Sequence, residues 1–130
     1  MEREQGVPLH CKVTVRILKE TRAFGPGVAQ LLRGIGETGS LQGAAQQMGM
    51  SYSKAWTVMK EAENIWGFPL IERHVGGLHG GHSVLTAQAQ ILLQRYDSLE
   101  DSVCRVAQEK FAEYFNPQEL RRLKEIGHGK

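Results

Sequence analysis

A chain of 130 residues holds one domain, or one small domain with an appended element. With 41% apolar and 23% charged residues it is not a disordered polyelectrolyte, and no run approaches the roughly 18 apolar residues of a bilayer span, so no membrane partner is expected. The formal net charge of +2 decides nothing about partners: residues 1–85 carry nine Lys/Arg against seven Asp/Glu and residues 86–130 carry seven of each, so any nucleic-acid reading must rest on local geometry.

The N-terminal stretch "MEREQGVPLH" is charged and has no secretory apolar core. Cys11 and Cys104 match no metal or redox spacing and read as buried, reduced thiols, which together with the missing leader predicts a cytoplasmic protein. Residues 11–17, "CKVTVRI", alternate apolar and polar and predict a half-buried strand. After the turn "AFGPG", Pro26 is well placed to open a helix in which Val28, Leu31, Leu32 and Ile35 follow the helical period until Gly39, although two internal glycines weaken it.

Ser40 then caps a short helix, residues 41–48, whose inner stripe is Leu41, Ala44, Ala45 and Met48 and which Gly49 ends. Ser51 caps a longer one to about Trp66, with Ala55, Met59, Ala62 and Trp66 on the seam facing a core. Beyond Pro69 the pattern shortens. "LIERH" and "SVLT" predict two brief strands joined by the glycine-rich "VGGLHGGH". Thr86 caps a further helix of about 29 residues without Gly or Pro, roughly 43 Å long, and Asn116, Pro117 and Glu119 announce a short terminal helix.

Two helices around a tight glycine turn, the first with small alanines that allow close approach, form a helix-turn-helix. In such a unit the second helix presents its first turns to the DNA major groove. A generic helix pair with a solvated face gives the same pattern, but a glycine-rich two-stranded hairpin directly afterwards makes a winged helix, which is more specific. The expected fold is therefore mainly α with a small β component: a winged helix-turn-helix with its N-terminal strand over residues 1–86, and a long dimerisation helix with a short terminal helix over 87–130. Tyr52, Ser53, Lys54 and Thr57 are expected at base edges, and Ser40, Ser51, Lys60 and Arg73 at phosphates.

"ETGSLQGAAQQMGMSYSKAW" followed by "GFPLIERHVGGLHGGHSVLT" resembles the N-terminal winged helix of ModE-type molybdate-responsive transcriptional regulators, related to the LysR-type DNA-binding domain, over roughly residues 10–105. The resemblance implies operator binding as a homodimer, with the helix that begins at Ser51 as recognition helix and the segment near residues 73–83 as wing. Family wings tend to carry Lys among their glycines. Here Leu78, His79 and His82 occupy that region, and the two imidazoles are the expected wing contacts. About 45 residues follow the wing, so the family's oxyanion-binding modules are not expected in this chain, and neither molybdate nor another effector is expected to bind it directly.

His74, His79 and His82 lie within nine residues, but Glu72 is the only nearby carboxylate and a glycine-rich loop pre-organises ligands poorly, so no metal and no cofactor is expected. In the long helix Leu92, Tyr96, Leu99, Val103 and Val106 are spaced 4, 3, 4 and 3, a heptad seam suited to a second copy of the chain, even though part of the helix must cover the chain's own core. No nucleophile–base arrangement, phosphate-cradling loop or paired-carboxylate signal is present, so the chain is not read as an enzyme. Trp56 and Trp66 read as core rather than as a stacking platform, although Trp56 lies near the DNA-proximal end of its helix, within reach of a sugar. The rival readings are a winged-helix protein-interaction module that does not bind DNA, and a metal sensor built on the wing histidines.

Overall fold

The computed structural model describes residues 8–75 and 82–127. Its contacts divide the chain into two compact units, Thr14–Leu99 and a second made of Met1–Val13 with Glu100–Lys130. The molecule is mainly helical with two small antiparallel sheets, a winged helix-turn-helix followed by a long C-terminal helix.

In the first unit, β1 (Ile17–Leu18) pairs with β2 (Arg22–Phe24) in the register Ile17↔Phe24 and Leu18↔Arg22. Residues 11–17 do alternate between half-buried and exposed, as their sequence pattern predicts, yet only Ile17 of that run belongs to a ladder. Alternation reports side-chain burial, and β2 is too short to pair a longer strand. The Val15 carbonyl is instead satisfied by a side chain, accepting from the Tyr96 hydroxyl at 2.8 Å.

Helix α1 (Pro26–Thr38) opens on Pro26 and ends at Gly39, whose φ of 83° is the left-handed cap that residues with a Cβ rarely adopt. It buries Val28, Leu31, Leu32 and Ile35. Gly34, one of the two glycines that weaken the helix prediction, is also buried, because α2 (Leu41–Gln47) lies so close there that an added Cβ would stand 2.7 Å from the Ala44 Cβ. Ala44 and Ala45 are the corresponding small residues of α2. Gly49, with φ of 66°, turns the chain into α3 (Tyr52–Trp66), which buries Ala55, Met59 and Ala62 on the predicted seam. Trp66 donates its indole N–H to the Ala23 carbonyl at 2.9 Å, which fixes the far end of α3.

The wing pairs β3 (Ile71–His74) with β4 (His82–Leu85), Arg73 opposite Ser83 and His74 opposite His82. Its base is held twice. Leu70 is fully buried, and its carbonyl accepts from the Thr86 N–H at 3.0 Å. The Thr86 hydroxyl donates to the Pro69 carbonyl at 2.9 Å and accepts from the Ala89 N–H at 3.0 Å, capping α4 (Ala87–Tyr114) as its sequence position predicts. Tyr96 of α4 enters the same core, with its ring 5.0 Å from that of Phe24.

The second unit is described separately. In it the segment leading to Val13 gives its carbonyls to α4 side chains: Gln108 donates to Cys11 O at 2.5 Å, and the Cys104 sulfur lies 4.0 Å from Val13 O. Both cysteines are free and half-buried. Asn116 caps α5 (Pro117–Ile126) by accepting from the N–H groups of Gln118 and Glu119 at 2.8 and 3.4 Å.

Candidate nucleic-acid interface

The period of α3 sorts its side chains. With Ala55, Met59 and Ala62 turned inward, successive 100° steps carry Ser53, Lys54, Thr57 and Lys60 outward, and all four are exposed. Ser51 stands at the N-cap, where its hydroxyl accepts from the Lys54 N–H at 3.1 Å, and Ser40 does the same for Gly43 at 2.8 Å. Each hydroxyl keeps its own proton for an external acceptor. Lys54 makes no ion pair among the described residues.

Among the described residues the wing is tied to the helix-turn-helix by one backbone bond, Ser83 N–H to Gly39 O at 2.7 Å. That bond brings Ser40, Tyr52, Arg73 and His82 together around an open cleft shared with Gln42 and Ser83. Arg73 forms no ion pair among the described residues, so its guanidinium is available to a ligand anion. Ser53, Lys54 and Thr57 line no part of this cleft. Lys54 instead borders a separate depression with Arg22, Met50 and Glu61. His79 lies outside the described residues. His82 stacks on its cross-strand partner His74 with ring centroids 5.2 Å apart and planes 12° from parallel, and the Glu72 carboxylate stands 3.7 Å from His74 Nε2. Among the described residues no three His, Cys, Asp or Glu side chains are grouped so as to hold a metal ion.

Two placements depart from the sequence expectations in an informative way. Lys60, read as a phosphate ligand, pairs with Glu63 at 3.2 Å and lies 5.6 Å over the Trp56 ring. The other Glu63 oxygen accepts from the Leu70 N–H at 2.8 Å, so this largely buried carboxylate is satisfied on both sides. Trp56, read as core, is 48% exposed, because it follows Ala55 by one residue and therefore points away from the buried seam. Tyr52, one turn earlier, is 47% exposed. The seam spacing itself carried this signal, since Trp56 is not one of its members.

Of the proposed dimer seam within the first unit, Leu92 is half-buried against the core, Tyr96 is 3% exposed and Leu99 is 41% exposed. In the second unit Val103 is half-buried and Val106 is 51% exposed. Among the described residues no helix is long and apolar enough to cross a membrane.

Residues 29–90 match the model of the bacterial regulatory helix-turn-helix proteins of the lysR family. The chain is 39% identical over 83 residues to the transcriptional regulator ModE of Haemophilus influenzae, covering 64% of this chain and 32% of the relative. It is 34% identical over 91 residues to the molybdenum-pterin-binding protein MopB of Rhodobacter capsulatus, covering 69% and 34%. To the DNA-binding transcriptional dual regulator ModE of Escherichia coli K12 it is 39% identical over 74 residues, covering 57% and 28%. The chain spans about a third of the length of the curated relatives it matches. Helix pair and wing fall on the segment, residues 29–90, that matches the lysR-type regulatory helix-turn-helix model, and the N-terminal part of the chain is similar to ModE-type regulators.

Proposed function

We propose that this chain is a sequence-specific regulator of transcription that binds double-stranded DNA in the cytoplasm as a homodimer on a palindromic operator. The observation that carries this reading is the exposed surface of α3, where Ser53 and Thr57 stand opposite the buried seam Ala55–Met59–Ala62 and Lys54 on its flank, beside a wing whose Arg73 makes no ion pair among the described residues. Tyr52, Ser53, Lys54 and Thr57 meet base edges. Ser40, Ser51 and Arg73 hold phosphates, and Lys60 can do so with the ammonium donors it does not give to Glu63. His82 and His79 accompany the wing along the backbone. Residues 1–86 act as the DNA-binding domain and residues 87–130 as the dimerising one, through whichever of Leu92, Tyr96, Leu99, Val103 and Val106 remain outside the chain's own core. Two-fold symmetry then sets the half-site spacing at one DNA turn or a small multiple of it. The name of one relative, the molybdenum-pterin-binding protein MopB, supports a link of this regulation to molybdenum metabolism.

The test is the salt dependence of duplex binding by the purified chain. Phosphate neutralisation gives a log–log slope of about −0.9 for each contact, so a slope steeper than about −3 is expected, and a slope near zero favours a protein-interaction module instead. A variant separates capping from contact. Asp caps a helix as well as Ser, so Ser51→Asp is expected to leave urea unfolding within about 0.5 kcal/mol of the parent while its added charge repels the backbone and weakens duplex affinity.

A further inference from the structure

We propose that Trp56, with Tyr52, reads thymine methyl groups in the major groove, an inference that rests on the duplex-binding reading. The exposed side chains of α3 are polar apart from these two rings, which sit one helical turn apart and are each left about half uncovered, at 47% and 48%. On the major-groove edges of the bases, the C5-methyl of thymine is the apolar group that such surfaces match. That methyl lies at the outer margin of the groove beside its own strand. Trp56 is displaced by 100° from the buried Ala55 and Thr57 by 200°, so the indole occupies the wing-side flank of the helix rather than its outermost edge. It borders a cleft shared with apolar Leu41 and Ile71, the Lys60–Glu63 pair and Arg73, so that an apolar strip for a methyl lies near a guanidinium for the adjacent phosphate.

The ring is also held in advance. Leu70 N–H and Lys60 Nζ each bond one oxygen of Glu63, at 2.8 and 3.2 Å, and the same ammonium lies 5.6 Å from the indole centroid. An indole under a cation–π contact, from an ammonium that a largely buried acid holds in place, loses less freedom on binding, which is what a discriminating contact requires.

The experiment uses a duplex selected by the parent chain from a random library and the same duplex with deoxyuridine in place of every thymidine. The parent is expected to bind the deoxyuridine duplex about fourfold more weakly for each methyl it contacts, the factor that one buried methylene-sized group contributes. Trp56→Ala should bind the thymidine duplex more weakly and lose that discrimination, and Trp56→Phe should retain part of it, with both variants melting like the parent. Equal discrimination in the parent and in Trp56→Ala, or none in the parent, overturns the inference while leaving duplex binding intact. Failure of the parent to bind any duplex at low salt overturns the duplex-binding reading itself.

Discussion

Gly34→Ala is expected to destabilise the chain by about 1–3 kcal/mol, whereas Gly36→Ala, two residues further along the same helix, should stabilise it by about 0.5–1 kcal/mol. The intrinsic preference of a helix interior for alanine is the same at both sites, so the opposite signs come from the neighbours. At Gly34 a Cβ would stand 2.7 Å from the Ala44 Cβ, 3.0 Å from the Ala44 Cα and 3.0 Å from Gln47 Oε1, and a backbone atom cannot step aside as the end of a long side chain can. Relief requires α1 and α2 to separate, opening the core around Leu31 and Ile35. At Gly36 nothing lies within 4 Å. Urea unfolding of the two variants and the parent reads both values, and two shifts of the same sign would show that α1 and α2 do not meet at Gly34.

The second large effect concerns DNA. Lys54→Ala and Thr57→Ala are each expected to weaken binding to the selected operator by about 1–3 kcal/mol and to relax the choice of base at one position, with the loss much smaller on random duplex. Arg73→Ala should behave differently, lowering affinity for operator and random duplex alike and reducing the salt slope by about 1. Lys54 is exposed on the flank of α3 and makes no ion pair among the described residues, so its removal leaves no uncompensated charge inside the protein. Titration of both duplexes at two salt concentrations separates the two classes. Unaltered operator preference in the α3 variants would remove those residues from the reading face.

Much of the fold was legible because its boundaries are set by local chemistry. Ser40, Ser51, Thr86 and Asn116 each cap the helix they were expected to open, and Gly39 ends its helix where predicted. The wing strands were visible as a change of period after Pro69 and pair as a hairpin. What failed was inference about partners. Residues 11–17 have the alternation of a strand, but pairing depends on a neighbour elsewhere in the chain, and here side chains of α4 take several of the carbonyls. The chemistry of the candidate site followed the same division. The outward position of Ser53, Lys54 and Thr57 follows from the helical period alone. That Glu63 engages Lys60 is within the i,i+3 spacing rule for a helix, but that its other oxygen is fixed by the Leu70 amide seven residues away depends on how the chain turns between α3 and β3, and no spacing rule contains that. Tyr96 shows the limit for interfaces: a heptad seam looks the same whether a residue faces a second chain or, as here, Phe24 and the Val15 carbonyl.

The bond from Ser83 to Gly39 has a mechanical consequence. A hairpin attached only through its own strand ends would be free to pivot, and its tip would find the double helix independently of α3. Here any pivot strips a carbonyl at the end of α1 of its donor, a loss on the order of 1 kcal/mol, in addition to whatever the base of the hairpin gives up. Hairpin and α3 are therefore biased toward one relative phase, as a caliper whose jaws rest near a preferred separation before anything is placed between them.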